Sequence, residues 1–287
     1  LRIAKNHLDI KFSKQPGRIK SEFDEWVHKC FLNNTFAFEI LMAPYVLGHL
    51  RTNMIVEELG SQFDTSKERV KLFLFNTLME LQTTLKDFRN PAIGEEIVEA
   101  LNIRNRKQIL VILSNPPYNI SSQNKFKWIE EKINYKFKSF SQVEKELIKN
   151  TEKNQEEVII EIKKRKNDYV WDLQRKGTKK ISNLMALHND YVKFIRFAQW
   201  KIKQNNYGIV AYITNNSYID GLSFRGMRSS LRKDFDKIFI IDLHGDSRSG
   251  IPYDIQKKGV TTDENVFGIR DGVAIIFLIR LIHHDDN

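Results

Sequence analysis

The sequence lacks the features that mark several common protein classes. It has a single cysteine, Cys30, which excludes an internal disulfide and any zinc site built on paired cysteines. No stretch reaches the roughly 18 consecutive apolar residues that predict a transmembrane helix. The chain starts Leu1-Arg2-Ile3, without an initiator methionine or the apolar core of a signal peptide. These absences favour a reducing compartment, and we expect a cytoplasmic protein with no membrane contact.

The size of the chain limits the number of domains, and its net charge favours a polyanionic partner. The chain has 287 residues, 41% of them hydrophobic, which is enough for a substantial core in one large or two small domains. Its net charge of +10 and pI of 9.4 favour nucleic acid, although a lysine-rich composition alone produces the same balance. The tail at 283–286 (HHDD) contains possible metal ligands, but a frayed terminus explains it better, and we expect no metal site.

Six short apolar runs predict the strands of an α/β protein: 35–40, 70–76, 109–114, 208–214, 237–243 and 273–281. The runs are continuous, which predicts strands buried on both faces. Amphipathic helices are predicted between them at 44–59, 189–204 and 224–235. Strands that alternate with helices favour a doubly wound fold, with a mostly parallel sheet and helices on both faces.

One segment interrupts this alternation. Residues 125–180 are rich in lysine and glutamate, with large apolar residues scattered among them, and this pattern predicts a charged helical insertion. We therefore expect three parts. Residues 1–124 form the N-terminal part of the core, residues 125–180 form the insertion, and residues 181–287 form the C-terminal part of the core.

The tetrapeptide Asn115-Pro116-Pro117-Tyr118 directly follows the predicted strand 109–114. It thus lies at the carboxyl edge of a sheet, where open α/β folds bind their ligands. The prolines stiffen the backbone, so the Asn115 side-chain oxygen and the Pro116 carbonyl can accept both hydrogens of an exocyclic amine. Tyr118 offers a ring on which a flipped-out base can stack. A strand that simply ends in a proline turn has the same residues, but the context favours catalysis.

The tetrapeptide resembles the Asn/Asp-Pro-Pro-Tyr/Phe motif of amino-methyltransferases that act on adenine N6 in DNA. Further segments resemble the large single-chain restriction–modification enzymes of types ISP and IIG: 38–50, 75–78, 213–228, 242–245 and 265–267. The resemblance implies a Rossmann-like class I methyltransferase fold, S-adenosylmethionine (SAM) as cofactor and double-stranded DNA as partner. Transfer of a methyl group to N6 of a flipped-out adenine is the implied reaction.

The resemblance also assigns roles to single residues. Asn115, Pro116, Pro117 and Tyr118 correspond to the catalytic motif. Glu39 matches the acid that binds the ribose hydroxyls of SAM. Asn76 matches the residue that contacts the adenine of SAM, but many members of the family have aspartate there, which weakens the assignment. Phe267 matches an aromatic residue that packs on the face of the flipped base opposite Tyr118.

One hallmark of the resembled family is missing from the sequence. Members of that family have a glycine-rich SAM loop with Gly-x-Gly after the first strand. None of the 13 glycines of this chain forms that pattern. The resemblance therefore implies a fragment that starts after this loop, lacks the first strand, and stops before a target-recognition domain. We expect such a fragment to bind SAM poorly, and we expect a partner chain or a swapped strand to fill the gap.

Three alternatives remain open. Glutamine methyltransferases of translation release factors and guanine-N2 RNA methyltransferases carry the same tetrapeptide, although the charged insertion and the block at 224–245 favour the DNA enzymes. A third alternative is a non-enzymatic domain that only positions DNA within a larger restriction protein. Such a module has no need for a rigid acceptor pair at a sheet edge.

Overall fold

The computed structural model describes residues 1–64, 67–80, 91–118, 122, 124–133, 185–246 and 267–283. The chain divides into two compact units, Leu1–Lys107 and Gln108–Asn287. The described strands of the first unit form a two-stranded sheet, and those of the second form a four-stranded sheet. Most of the charged segment predicted at 125–180 lies outside the described residues.

Helices dominate the first unit. It contains α1 (Arg2–Lys11), α2 (Pro16–Trp26), a π-helical turn (Val27–Phe31), α3 (Leu32–Asn34), strand β1 (Phe36–Glu39), α4 (Met42–Glu58), strand β2 (Lys71–Leu74) and α5 (Pro91–Arg106). A small core joins the helices through Phe23, Val27, Leu32 and Val56. Proline at the start of α2 suits the first turn of a helix, where its missing N–H leaves no helical bond unmade.

The two strands of this unit run parallel, with Phe36 opposite Lys71 and Glu39 opposite Leu74. Helix α4 packs closely on β2 at Gly48, where an added Cβ would lie 2.6 Å from the Cδ2 atom of Leu72. The Nε2 atom of His49 lies 3.2 Å from the Leu72 carbonyl oxygen. These contacts hold α4, which begins shortly after β1, against β2.

The second unit holds the larger sheet. It contains β3 (Val111–Ser114), α6 (Lys127–Ile133), a 3₁₀ turn (Met185–His188), α7 (Asp190–Asn205), β4 (Gly208–Asn215), a second 3₁₀ turn (Leu222–Phe224), α8 (Arg225–Asp234), β5 (Lys237–Asp242) and β6 (Val273–Arg280). The strand order is β3-β4-β6-β5. Strand β3 is parallel to β4, whereas β6 is antiparallel to both β4 and β5.

One face of this sheet is covered by α7 and α8. Its buried cluster combines residues of the strands with residues of the two helices, among them Val210, Tyr212, Ile276, Leu278, Tyr191, Ile195, Met227 and Leu231. The apolar sides of both helices, which their amphipathic pattern predicted, thus pack against β4 and β6. Helix α7 ends at Asn206, whose φ of 65° closes the helix in the left-handed conformation.

The opposite face, which we call the open face, is apolar and exposed. It includes Val111, Leu113, Ile209, Phe239 and Ile241, which the strand register places on one side of the sheet. Leu113 is 72% exposed. The prediction of strands buried on both faces is therefore wrong for β3 and β5 in the described part of the chain. The described helices α7 and α8 cover one face only.

The α/β class is confirmed, and each of the six predicted strands is present within two residues of its predicted bounds. A mostly parallel sheet was expected. The described strands form two small sheets, the first parallel and the second mixed, so this expectation is met in part. In the larger sheet, two of the three pairings are antiparallel. A continuous apolar run indicates a strand, but it determines neither burial on both faces nor strand direction. Among the described residues, no helix has the length and apolar character needed to cross a membrane.

Candidate active site and cofactor edge

The Asn115–Tyr118 tetrapeptide leaves the sheet directly after β3, whose last residue, Ser114, pairs with Tyr212 of β4. Asn115 is exposed, and Pro116 is buried. The Tyr118 hydroxyl donates a hydrogen bond of 3.0 Å to the Oδ1 atom of Asn115. Because an amide oxygen has two lone pairs, this bond orients the amide and leaves a second acceptor position on Oδ1.

The environment of Tyr118 keeps its hydroxyl protonated. Its ring is partly buried and packs against the hydrophobic cluster under the sheet. Burial raises the pKa of Tyr118, and the negative charge of Asp271 raises this pKa further. The hydroxyl is therefore a hydrogen-bond donor at neutral pH.

Strand β6 begins at Val273 opposite Asn215 of β4, so the segment before β6 lies at the sheet edge that carries the tetrapeptide. Phe267 lies at the start of that segment and is 48% exposed. Its proposed stacking opposite Tyr118 stays a prediction. Asp271 was not singled out from the sequence, because the only signal for it is its position just before an antiparallel strand that starts at this sheet edge.

A second polar cluster lies at the ends of β4 and β5. The Asn216 Nδ2 atom donates to Asp242 Oδ1 at 3.1 Å, and the His244 backbone N–H donates to the same oxygen at 3.0 Å. Gly272 makes room for this arrangement, since an added Cβ would lie 2.3 Å from Asn216 Oδ1. His244 adopts a left-handed φ of 59°. These residues had no individual roles predicted from the sequence, although polar residues at strand ends are the signal that identifies them.

The loop after β4 is held in place by α8. The Arg228 guanidinium donates to the backbone oxygens of Tyr218 and Gly221, each at 2.8 Å. The side chain of Tyr218, within this loop, is buried, and burial raises its pKa to about 12. The carboxyl edge of the second sheet thus carries fixed polar groups from three strand ends and from the segment before β6.

In the first unit, Glu39 is the last residue of β1 and Asn76 lies two residues after the parallel strand β2, so both lie at the same edge of the small sheet. The Glu39 Oε1 atom accepts from the backbone N–H groups of Ile40 and Leu41, at 2.8 Å and 2.9 Å. The carboxylate is thereby locked beside the start of α4 through one oxygen. The Asn76 Oδ1 atom accepts from the Leu78 N–H at 3.0 Å, which folds the loop after β2 back on itself.

Arg104 of α5 supports this loop. Its Nη1 atom donates to the Thr77 carbonyl oxygen at 2.9 Å and also to that of Met79. Desolvation lowers the pKa of the buried guanidinium to about 10, so it remains a cation at neutral pH. Arg104 was not predicted from the sequence, because nothing in a sequence separates one buried arginine from the many exposed ones. No group of residues suited to hold a metal ion occurs in the described part of the chain.

Comparisons with known proteins agree with this architecture. No family model matches the chain, and no curated protein does. The ATP-dependent type ISP restriction-modification enzyme LlaBIII bound to DNA matches 93% of the chain, at 23% identity and a TM-score of 0.59. A nuclease-deletion mutant of the type ISP enzyme LlaGI, in complex with a DNA substrate mimic, matches 93% at 22% identity and a TM-score of 0.60. A DrdV–DNA complex matches 91% at 23% identity and a TM-score of 0.56.

The chain shares its fold with segments of these proteins. It spans 16% of the LlaBIII chain, 20% of the LlaGI chain and 22% of the DrdV chain. At this level of identity the likeness establishes the fold and leaves the activity to be argued from the residues.

Proposed function

We propose that this chain belongs to the methyltransferase region of a restriction–modification enzyme and methylates N6 of adenine in double-stranded DNA, with SAM as the methyl donor. The observation that carries the proposal is the hydrogen bond from Tyr118 to Asn115 at the carboxyl end of β3. A rigid, oriented acceptor at a sheet edge is what a planar amine nucleophile requires. The net charge of +10 and the likeness to three DNA complexes support DNA as the partner.

In this proposal the tetrapeptide binds the target base. One lone pair of Asn115 Oδ1 accepts from Tyr118, and the other accepts one hydrogen of N6. The Pro116 carbonyl accepts the second hydrogen, and together the two acceptors favour a pyramidal nitrogen. The flipped-out adenine stacks on the Tyr118 ring, with Phe267 on its opposite face. Asn115, Pro116, Pro117 and Tyr118 form the proposed catalytic motif.

The proposed cofactor residues lie in the first unit. SAM supplies an electrophilic methyl group when it is bound. Glu39 fits the ribose hydroxyls, because its carboxylate is locked through Oε1 and presents Oε2 as an acceptor. Asn76 fits a contact with the cofactor adenine, and Arg104 holds the loop that carries it. Since the chain contains no Gly-x-Gly turn, we propose that it binds SAM weakly by itself, and that a partner chain or a swapped strand completes the site.

The proposal is tested by methyl transfer from labelled SAM. The chain alone and the natural protein that contains it are each incubated with adenine-containing duplex DNA, with RNA, and with a translation release factor. Label confined to DNA in the natural protein is the expected result. Label found only in RNA or in the release factor would favour those alternatives, and DNA binding without any transfer would favour a DNA-positioning domain.

A further inference from the structure

A polar cluster follows the tetrapeptide. It combines the buried side chains of Ser122, Asp190 and Lys193 with half-buried Asn124, and we call it the anchor cluster. The Ser122 hydroxyl donates to Asp190 Oδ1 at 2.5 Å and accepts from Lys193 Nζ at 3.0 Å. It also accepts from the Asn124 N–H at 3.0 Å, and Asn124 Nδ2 donates to Asp190 Oδ1 at 2.9 Å. Lys193 Nζ donates in addition to the Asn124 carbonyl oxygen.

These contacts satisfy two charges that are hidden from water. Asp190 and Lys193 are 3% and 1% exposed. The Ser122 hydroxyl uses its single donor and both acceptor positions within the cluster. Glu130 of α6 adds a second carboxylate, at 3.9 Å from Lys193 Nζ. The Ser122 hydroxyl bridges the two buried charged side chains. Buried charged groups usually add little net stability compared with apolar residues of the same size, so a role in fixing geometry explains this cluster better.

The anchor cluster connects the segment after the tetrapeptide to helix α7. Ser122 lies four residues after Tyr118, and Asp190 and Lys193 lie in the first turn of α7. The apolar side of α7, including Val192 and Ile195, belongs to the core under the four-stranded sheet. The tetrapeptide is therefore held by β3 on its N-terminal side, and the chain that leaves it is fastened to the helix that covers the sheet.

We infer that Asp190 and Lys193 are positioning residues: through Ser122 and Asn124 they fix the place of Asn115 and Tyr118 without touching the target base. The inference rests on the proposed function. It predicts that breaking the cluster slows the chemical step and leaves the binding of DNA and SAM nearly unchanged, because the residues that contact both ligands remain present.

The test compares two buried lysines of the same helix. Lys193→Met removes the charged centre of the cluster, and Lys201→Met is the matched control, since Lys201 is 2% exposed and lies on α7 outside the cluster. In the natural protein, we expect Lys193→Met to lower kcat for DNA methylation by about 10-fold to 100-fold, with both KM values within about twofold. Lys201→Met is expected to leave kcat within about twofold. Asp190→Asn, which keeps the shape of the side chain, serves if Lys193→Met fails to fold.

A readout that needs no activity separates this inference from the proposed function. Hydrogen exchange over residues 110–124 should quicken in Lys193→Met, and not in Lys201→Met. A wild-type protein that methylates no DNA would refute the proposed function, while the exchange result would still decide whether the cluster anchors this segment. Unchanged exchange in Lys193→Met, or an equal fall in kcat for both variants, would overturn the inference.

Discussion

At the scale of single residues, the Tyr118 hydroxyl can be removed without removing the ring. Tyr118→Phe eliminates the 3.0 Å hydrogen bond to Asn115 Oδ1 and keeps the stacking surface. A bond of this kind contributes about 1 kcal/mol, so we expect a fall in kcat of about fivefold to tenfold with KM for DNA unchanged. Tyr118→Ala removes the ring as well and should also raise KM. If Tyr118→Phe has wild-type kcat, the hydroxyl does not orient Asn115.

Gly272 offers a test of the packing at the carboxyl edge of the second sheet. In Gly272→Ala the new methyl group would lie within 2.6 Å of the Asn216 amide, which must move away from Asp242. We expect a loss of about 1 kcal/mol in the free energy of unfolding, the usual contribution of one hydrogen bond, measured by urea denaturation. Gly17→Ala is the control, because nothing lies within 4 Å of its added methyl group. Equal stability of the two variants would contradict the described contact.

A sequence can reveal those site residues whose position follows from their neighbours in the chain. Asn115 to Tyr118 follow an apolar run, and Glu39 ends another, so their positions at strand ends were predictable. The bond between Tyr118 and Asn115, and the use of one Glu39 oxygen by the start of α4, were not predicted. Arg104 and Lys193 were missed because their burial depends on contacts between segments far apart in the chain.

At the scale of elements, the π-helical turn is linked to the loop before β2 by an ion pair. His28 Nδ1 lies 2.9 Å from Glu68 Oε2, and its Nε2 lies 3.8 Å from Asp24 Oδ1. The hydrogen bond to Glu68 is the main cause that raises the pKa of His28 above 6.5. The folded state therefore favours protonated His28. The resulting stabilisation is fully present below pH 6.5 and is lost as the pH rises through the raised pKa.

Thermal unfolding at a series of pH values checks this link. We expect the Tm of the wild type to fall as the pH rises through the pKa of folded His28, and we expect Glu68→Gln to lack much of that fall. The size of the effect will be small, because His28 is 31% exposed and solvent screens the pair. If the Tm of Glu68→Gln fell with rising pH as steeply as the Tm of the wild type, another group would cause the pH dependence.

The positions of most helices and strands could be predicted from the sequence, whereas the order and direction of the strands could not. Continuous apolar runs located the strands, and amphipathic spacing located α4, α7 and α8. It did not locate α2 or α5. The order β3-β4-β6-β5 was not predictable, because pairing and direction depend on how distant segments meet.

At the scale of the whole molecule, the open face is the feature with the clearest consequence for behaviour in solution. The exposed apolar side chains of β3, β4 and β5 on this face form a surface that favours association. Leu113→Lys places a charge on this face, and we expect less light scattering and a higher soluble yield with unchanged stability. Ile112→Lys is the matched change on the opposite face, where Ile112 packs against the core, and we expect it to destabilise the fold. Equal effects of the two substitutions would contradict the described faces.

The central claim is that Asn115 and its neighbours methylate adenine N6 in DNA, and nucleoside analysis tests it most directly. Unmethylated duplex DNA is incubated with SAM and the natural protein that contains this chain, then digested to nucleosides and analysed by mass spectrometry. We expect N6-methyldeoxyadenosine with the wild type and none with Asn115→Ala, whose affinity for SAM should be nearly unchanged. Methylation retained in Asn115→Ala, or a methyl group found on another base, would contradict it.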